Sequence, residues 1–274
     1  MVAERDLDLG GGRTLHMYDS GSGELPVFWH HGTPNIGAPP VPLFDAARKH
    51  GVRWLSYDRP GYGGSTPQPG RTVGSAAALT AAVADALGLE RIAVMGHSGG
   101  GSHALACAAL LGDRVTGAVS VSGLAPYGVP GLDWFAGMAP SGEASLRAAT
   151  EGRAAKERYE ASATDADPGF TPRDEAAFDT AWGWLLDVVR PAVAAGTGGL
   201  VDDDLAYVLP WGCDPTTITR QVLLMHGAAD RMVPSSHGEW LAAHLPSAHL
   251  RLYPDDGHIS VLLHAETALE WLAA

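Results

Sequence analysis

Ser98 is the residue of this sequence best placed to act as a nucleophile. It stands at the centre of the motif GHSGG at residues 96–100, directly after the apolar run 92–95 and directly before a stretch of helical composition. A strand that turns at once into a helix forces strained backbone angles on the corner residue and needs small neighbours on both sides. The turn is expected to expose the serine hydroxyl above the carboxyl end of a sheet, beside a helix N-terminus that favours developing negative charge.

A serine hydroxyl is a poor nucleophile near neutral pH until a base takes its proton, and a carboxylate usually steadies that base. Among the twelve histidines, His258 has the most suitable position, because it lies in a loop between the last apolar run and the last helical stretch. We expect that loop at the same edge of the sheet as Ser98. Asp230, which follows the apolar run 221–225, is the strongest candidate for the carboxylate.

The elements that must position these residues alternate along the chain. Short continuous apolar runs alternate with alanine-rich helical stretches, a pattern typical of a parallel sheet covered by helices on both faces. The first two segments are separated by three glycines and predict an antiparallel hairpin. Strands are predicted at residues 5–9, 13–18, 27–29, 53–57, 92–95, 115–121, 221–225 and 249–253. Helices are predicted at residues 41–50, 74–87, 99–111, 142–163, 172–195, 234–245 and 259–272.

Four motifs give the chain a resemblance to the α/β-hydrolase superfamily, and that resemblance covers nearly its whole length. The motifs are HHGTP at residues 30–34, DRPGYGGS at 58–65, GHSGG at 96–100 and HGAADRMVP at 226–234. The resemblance implies an α/β-hydrolase fold, with a mostly parallel eight-stranded sheet, helices on both faces and an inserted helical lid. Segments 1–123 and 213–274 would form the core domain. Segment 124–212, which has no strand-like run, would form the lid.

The resemblance also implies the roles of individual residues. Ser98, Asp230 and His258 follow the chain order that this fold imposes on a catalytic triad. The backbone N–H groups of Thr33 and Gly99 correspond to the oxyanion-hole donors. Some relatives carry the acid after the sixth strand, but segment 121–125 contains no carboxylate.

Other acidic and basic residues are expected to be structural. Asp255 and Asp256 lie next to the base in sequence, and we expect them to be solvated residues that set a turn. The resemblance to the α/β-hydrolase superfamily implies that Asp58 and Arg59 are structural residues that shape the pocket floor. The acidic run 202–204 is expected to be a solvated helix start.

The predicted lid offers the only information about the substrate. We expect its aromatic residues to line a pocket collectively, although any single one is more simply a packing anchor; they are Trp134, Trp182, Trp184, Tyr207 and Trp211. The same segment holds six basic and fourteen acidic residues, most of which are expected to form a solvated face.

Composition excludes several classes of partner. The formal net charge of −13 repels nucleic acid backbones and anionic lipid headgroups, and no apolar run approaches the roughly 18 residues of a membrane span. Charged residues near the start interrupt the apolar stretch that an export signal needs. We therefore expect a cytoplasmic protein that binds a small molecule and neither nucleic acid nor membrane. Its oligomeric state stays open.

No cofactor or metal is expected. Only two cysteines occur, and neither a phosphate-binding glycine loop nor the spacing of a metal site is present in the sequence.

The favoured function is hydrolysis of a small, neutral, largely apolar ester or related acyl compound by a serine hydrolase. One alternative is an aminopeptidase similar to proline iminopeptidases, which needs a lid carboxylate to hold the substrate amine. Another is a carbon–carbon bond hydrolase on the same fold. An alternative of a different class is a ligand-binding protein that keeps the fold without turnover.

Overall fold

The fold is organised around a single sheet. The computed structural model describes residues 2–162 and 167–274. The eight strands of this described part form one hydrogen-bonded sheet. The strands are β1 (Ala3–Asp8), β2 (Thr14–Asp19), β3 (Leu25–His30), β4 (Val52–Tyr57), β5 (Ile92–His97), β6 (Val115–Val121), β7 (Val222–Gly227) and β8 (Ala248–Tyr253).

The strand order across the sheet is β1-β2-β4-β3-β5-β6-β7-β8. β2 runs antiparallel to both of its neighbours, and every other neighbouring pair is parallel. In the β1–β2 hairpin, Leu7 pairs with Leu15. The predicted α/β-hydrolase fold, with its mostly parallel sheet and antiparallel start, is confirmed.

The central strands are buried on both faces, as their continuous apolar runs predict. All six residues of β5 are buried. Because successive side chains of a strand point to opposite faces, Ile92 and Val94 enter one core, and Ala93 and Met95 enter the other. The two cores hold the sheet rigid where β5 delivers Ser98.

Helices cover both faces of the sheet. In the described part of the chain, the α-helices are α1 (Phe44–Lys49), α2 (Ser75–Ala86), α3 (Gly99–Leu111), α4 (Pro140–Thr150), α5 (Arg153–Ser162), α6 (Pro172–Phe178), α7 (Leu185–Val193), α8 (Gly198–Val208), α9 (Ser236–His244) and α10 (Glu266–Leu272). Helices α2, α3 and α9 contribute to one core, and α1 and α10 contribute to the other. No helix among the described residues is long and apolar enough to span a membrane.

The segment between β6 and β7 is helical, but its helices are shorter than the sequence pattern predicts. The predicted helix 142–163 is divided into α4 and α5, because Gly152 adopts a φ of 99° that ends the first helix. Its predicted last residue, Ala163, lies outside the described residues. The predicted helix 172–195 is divided into α6 and α7 by the 3-10 helix Ala181–Trp184. For α8 the sequence predicts only a helix start at residues 202–204, and the helix begins earlier, at Gly198.

Candidate active site

Ser98 lies at the sharp turn between β5 and α3. Its φ of 58° and ψ of −132° are strained for a residue with a side chain. The turn is so tight that a Cβ on Gly96 would overlap the carbonyl of Gly100. The backbone N–H of Ser98 donates to Val121 O at 2.8 Å and ties the turn to β6. The backbone geometry is therefore that of the exposed corner that the sequence predicts.

His258 and Asp230 meet at the carboxyl ends of β7 and β8. Nδ1 of His258 lies 2.7 Å from Oδ2 of Asp230. The other carboxylate oxygen, Oδ1, accepts the backbone N–H groups of Met232 and Val233, each at 2.9 Å. Asp230 is 4% exposed, so its carboxylate is held in one orientation by hydrogen bonds from the protein alone. This arrangement orients the imidazole with Nδ1 toward Asp230.

Asp230 and His258 shift each other's pKa. Burial of His258 on its own favours the neutral imidazole, but the charge and hydrogen bond of Asp230 outweigh burial and raise the pKa of His258 above its usual 6.5. Burial also disfavours the charged form of Asp230, yet the charge and hydrogen bond of His258 lower the pKa of that carboxyl. Asp230 is therefore ionised across the neutral range.

Ser98 and His258 line the same cavity, which has a volume of about 290 Å³. Within residues 2–162 and 167–274, the hydroxyl of Ser98 makes no hydrogen bond. The structure thus brings the predicted nucleophile and the predicted base to one cavity, without a hydrogen bond between them. Such contacts often tighten only when substrate is bound.

Thr33 and Gly99 are the predicted oxyanion donors. Gly99 is the first residue of α3, where a backbone N–H has no acceptor within the helix. The N–H of Thr33 has no acceptor among the described residues either. Both residues line a second cavity, of about 280 Å³, together with Ser98. Two free donors therefore lie close to the nucleophile.

Arg59 holds the loop that carries Thr33. Its guanidinium donates to the carbonyls of His31 and Gly32, the latter at 2.8 Å, and to Oγ1 of Thr33 at 3.0 Å. In a trans peptide the carbonyl and the following N–H point in opposite directions. Fixing the carbonyl of Gly32 on Arg59 therefore turns the N–H of Thr33 away from Arg59.

Asp203 on α8 anchors this arginine, and the expectation of a solvated acidic run at residues 202–204 is wrong. Asp203 is fully buried and forms ion pairs with Arg59 and Arg71, each at 2.6 Å. The hydroxyls of Tyr62 and Thr33 also donate to it, at 2.8 and 2.6 Å. These charges hold the pKa of Asp203 well below its usual range, although burial opposes them. No local pattern in the sequence indicates this site, because the partners of Asp203 lie more than 130 residues away.

The hydrogen bonds around Asp203 fix the direction of a proton at Tyr207. An ionised carboxylate only accepts, so Thr33 uses its single hydroxyl proton on Asp203. Tyr207, whose hydroxyl lies 2.7 Å from Oγ1 of Thr33, must then be the donor in that pair. Tyr207 also lines the 280 Å³ cavity. Of the five predicted lid aromatics, it is the one that reaches the site.

The four tryptophans predicted to wall the pocket do not line either cavity beside Ser98. Trp134 packs against Phe135 and donates its indole N–H to Ala125 O at 2.8 Å. Trp182 packs edge to face with Trp184, and Trp211 is buried in a separate apolar cluster. These tryptophans pack between other elements instead of lining a cavity, because packing there buries both faces of each indole ring.

The cavities beside Ser98 differ in character. The 290 Å³ cavity, on the His258 side, is mainly apolar; its lining includes Phe170, Phe178, Leu185, Leu186, Val189 and Ile259. The 280 Å³ cavity is more polar; its lining includes Ser141, Ser145, Tyr159, Glu160, Asp204 and Tyr207. Both share Thr33, Ser98 and Met232, so Ser98 lies at their junction.

Asp256 also differs from the prediction. It is 2% exposed and pairs with Arg173 at 2.8 Å and with His264 at 2.8 Å, so it is a buried anchor and not a solvated turn residue. Asp255 is exposed, as expected. Among the described residues, no group of three or more histidine, cysteine, aspartate or glutamate side chains could hold a metal ion.

Comparison with known proteins places this geometry in context. A family model described as the alpha/beta hydrolase fold matches residues 26–265. The chain is 27% identical over 276 residues to a 2-hydroxymuconate semialdehyde hydrolase from Pseudomonas putida, covering 94% of this chain and 89% of the relative. It is 38% identical over 82 residues to a pimeloyl-[acyl-carrier protein] methyl ester esterase from Aromatoleum aromaticum, and this match spans only 30% of either protein.

Solved structures resemble the chain over almost its whole length. A thermophilic esterase from Thermogutta terrifontis superposes with a TM-score of 0.69 at 23% identity, covering 98% of this chain and 96% of that chain. At that level of identity the likeness supports the fold alone.

Proposed function

The chain belongs to the α/β-hydrolase family, and from that premise we propose that it is a serine hydrolase acting on a small, neutral, largely apolar ester or related acyl compound. The observation that carries the proposal is the 2.7 Å contact between Asp230 and His258 at a cavity that Ser98 also lines. In this proposal, segments 1–123 and 213–274 form the catalytic core and segment 124–212 forms its lid.

The proposed reaction is acyl transfer through a covalent intermediate. Oγ of Ser98 attacks the substrate carbonyl carbon while Nε2 of His258 takes its proton. The N–H groups of Thr33 and Gly99 donate to the oxyanion, and the ionised Asp230 stabilises the imidazolium. His258 then protonates the leaving oxygen, and water releases the acyl group by the same steps in reverse.

The apolar cavity supports the proposed substrate class. Its aliphatic and aromatic lining removes an acyl chain from water, which contributes about 0.8 kcal/mol for each buried methylene. With a volume of about 290 Å³, it has room for a short or medium acyl chain. We propose that the acyl group enters this cavity and that the leaving group faces the polar one.

A second candidate is hydrolysis of a substrate that carries an amine, as an aminopeptidase requires. Glu160 and Asp204 line the polar cavity and supply the carboxylates for this. Against it, the buried Nζ of Lys156 lies 2.5 Å from both carboxylates and compensates one of their charges. Burial, opposed by Lys156, raises the pKa of Asp204 to about 6, which weakens its hold on a cation further. A carbon–carbon bond hydrolase stays a third candidate because of the relative from Pseudomonas putida.

The test is a substrate panel assayed with the wild type and with Ser98→Ala. We expect p-nitrophenyl esters of two to eight carbons to be hydrolysed with a kcat/KM that rises with chain length and then falls. Aminoacyl p-nitroanilides should be poorer substrates. Preferential hydrolysis of the anilides would favour the aminopeptidase. Rates of the wild type no higher than the uncatalysed reaction on every substrate would favour a ligand-binding protein, and equal rates above that level for the wild type and Ser98→Ala would show that Ser98 is not the nucleophile.

Two cavity-filling variants test where the acyl chain lies. Val189→Trp fills the apolar cavity and should move the preferred ester to a shorter acyl chain. Leu146→Trp places the same indole side chain in the polar cavity and should leave the acyl preference unchanged while penalising large leaving groups. The reverse pattern would show that the two cavities have been assigned the wrong way round.

A further inference from the structure

Asp174 is a buried carboxylate outside the proposed triad that contacts the loop carrying His258. It lies in the first turn of α6, within the segment between β6 and β7, and is 1% exposed. Its Oδ2 accepts the backbone N–H and the hydroxyl of Thr171, each at 2.9 Å, which completes a capping box at the start of α6. A helix cap of this kind is ordinary and needs only one carboxylate oxygen.

The second oxygen of Asp174 serves a different element. Its Oδ1 accepts the backbone N–H groups of Ile259 at 2.8 Å and Ser260 at 2.7 Å, and the hydroxyl of Ser260 at 2.9 Å. These N–H groups begin the 3-10 helix Ser260–His264, where a helix has no acceptor of its own. One carboxylate thus caps two helices that are more than 80 residues apart in the chain.

The loop that carries His258 leaves room for the carboxylate of Asp174. A Cβ at residue 257 would overlap the carboxylate of Asp174, so only glycine fits there. The N–H of Gly257 donates to Oγ of Ser260 at 2.8 Å, which closes the loop around the aspartate. His258 is the residue between the two contact points. Its backbone is therefore fixed on both sides by groups that Asp174 organises.

We propose that Asp174 is a positioning residue for His258, through which the inserted segment sets the orientation and the charge environment of the base. This proposal rests on the serine-hydrolase function proposed above. It assigns the inserted segment a part in catalysis besides enclosing the substrate. We call residues 257–260, which include His258, the base loop. A lid that moved away from the core as one body would break the three hydrogen bonds that Ile259 and Ser260 of this loop donate to Asp174.

Charged and titratable groups approach His258 from every element packed around it. Asp230 and His226 come from β7 and the loop that follows it, and His97 from the end of β5. Burial lowers the pKa of His97 to about 3, so its neutral ring donates its Nε2–H to the carbonyl of His258 at 2.9 Å. Asp174 is the remaining facing carboxylate, and its charge raises the pKa of His258 in addition to the larger effect of Asp230.

Asp174→Asn separates this role from that of a simple anchor. The amide offers only one oxygen, so its NH₂ group must face either Thr171 or the N–H groups of the base loop, where donor meets donor. We expect kcat to fall by about tenfold to a hundredfold, because small displacements of a catalytic group are costly, with KM changed less than about threefold. Removing the charge should also move the lower limb of the kcat/KM profile to a lower pH.

Glu175→Gln is the matched control, because it removes one negative charge from the neighbouring, exposed position of the same helix turn. It should leave kcat and the pH limb unchanged. Thr171→Val is a second control, because it removes the hydroxyl on the capping side and leaves the Oδ1 contacts to the base loop in place. It should lower the thermal midpoint without moving the pH limb. A pH limb of Asp174→Asn equal to that of Glu175→Gln would overturn the proposal.

A measurement without turnover keeps this inference distinct from the proposed function. NMR titration of the His258 imidazole, identified by its absence in His258→Gln, should give a lower pKa in Asp174→Asn than in the wild type. Loss of turnover in Ser98→Ala tests the serine hydrolase itself, and the titration stands whatever that result is. If Asp174→Asn does not fold, Ser260→Ala removes one of the three contacts to Asp174, together with the acceptor of the Gly257 N–H, and should lower kcat several-fold. An unchanged kcat in that variant would contradict the proposal.

Discussion

Asp230 is the single residue on which the orientation of the base depends most. Its Oδ2 contacts Nδ1 of His258, and its Oδ1 is held by two backbone N–H groups, so the carboxylate cannot rotate freely. Asp230→Asn should favour the wrong imidazole tautomer and lower kcat by up to about 10⁴. Asp255→Asn is the matched control, because Asp255 is an exposed aspartate near the same base. Esterase kinetics on both variants test this prediction. A larger loss of kcat in Asp255→Asn than in Asp230→Asn would show that the acid has been misassigned.

The protonation state of His258 sets the dependence of activity on pH. The imidazole must be neutral to accept the serine proton, and Asp230 raises its pKa above 6.5 despite burial. As the pH falls through that raised pKa, the imidazole binds a proton and activity is lost. We therefore expect kcat/KM to rise through one limb with a midpoint above pH 6.5. A midpoint below 6 on a neutral ester would contradict the pairing with Asp230.

Among individual residues, the sequence predicts those whose neighbours along the chain indicate their role. Ser98 stands between a strand and a helix, and His258 stands in a loop after the last strand. Asp203 and Asp174 could not be found this way. Their burial depends on partners 85 to 170 residues away, and a run of acidic residues looks solvated when those partners are unknown.

At the scale of elements, helix α8 is fastened to the core by a buried charge cluster. Asp203→Asn removes the anion that compensates Arg59 and Arg71, both of which are 2% exposed as side chains. Leaving two buried cations without their partner should cost about 3 to 5 kcal/mol in the free energy of unfolding. Urea denaturation measures this cost.

Asp202→Asn is the matched control for that prediction. It changes the neighbouring aspartate of α8, whose partner Arg153 is 37% exposed and can return to water. Its cost should stay below about 1 kcal/mol. Equal losses in the two variants would show that the cluster around Asp203 is not what anchors the helix.

Strands were easier to predict from the sequence than helices in the inserted segment. The strands are continuous apolar runs bounded by polar residues, and that signal survives without knowledge of contacts. The helical stretches are amphipathic and rich in alanine, so nothing in their periodicity shows where the chain must turn back on itself. Gly152 marks one such turn by its positive φ, whereas the 3-10 helix Ala181–Trp184 forms because its tryptophans pack into neighbouring elements.

At the scale of the whole molecule, buried histidines make the fold sensitive to acid. Burial lowers the pKa of six of the twelve: His30, His31, His97, His103, His226 and His237. Below pH 6.5 the unfolded chain binds protons at these positions while the folded chain does not, so stability falls as the pH falls. The loss is about 1.4 kcal/mol per pH unit for each histidine.

His30, His97 and His237, whose pKa values lie at about 3 to 4, would together remove about 8 kcal/mol of an ordinary stability of roughly 5 to 15 kcal/mol within two pH units below 6.5. We therefore expect cooperative unfolding, followed by tryptophan fluorescence, between about pH 4.5 and 6. A thermal midpoint that stays constant from pH 7.5 to 4.5 would contradict the burial of these histidines as neutral groups.

Covalent labelling tests the proposed role of Ser98 as a nucleophile activated by His258. A fluorophosphonate probe, followed by intact-mass measurement and peptide mapping, should add once per chain at Ser98 and should not add to Ser98→Ala. Turnover by that variant should fall by about 10⁵ to 10⁶ while its thermal midpoint stays close to that of the wild type. Undiminished labelling of Ser98→Ala, or an adduct on any other residue of the wild type, would contradict the account.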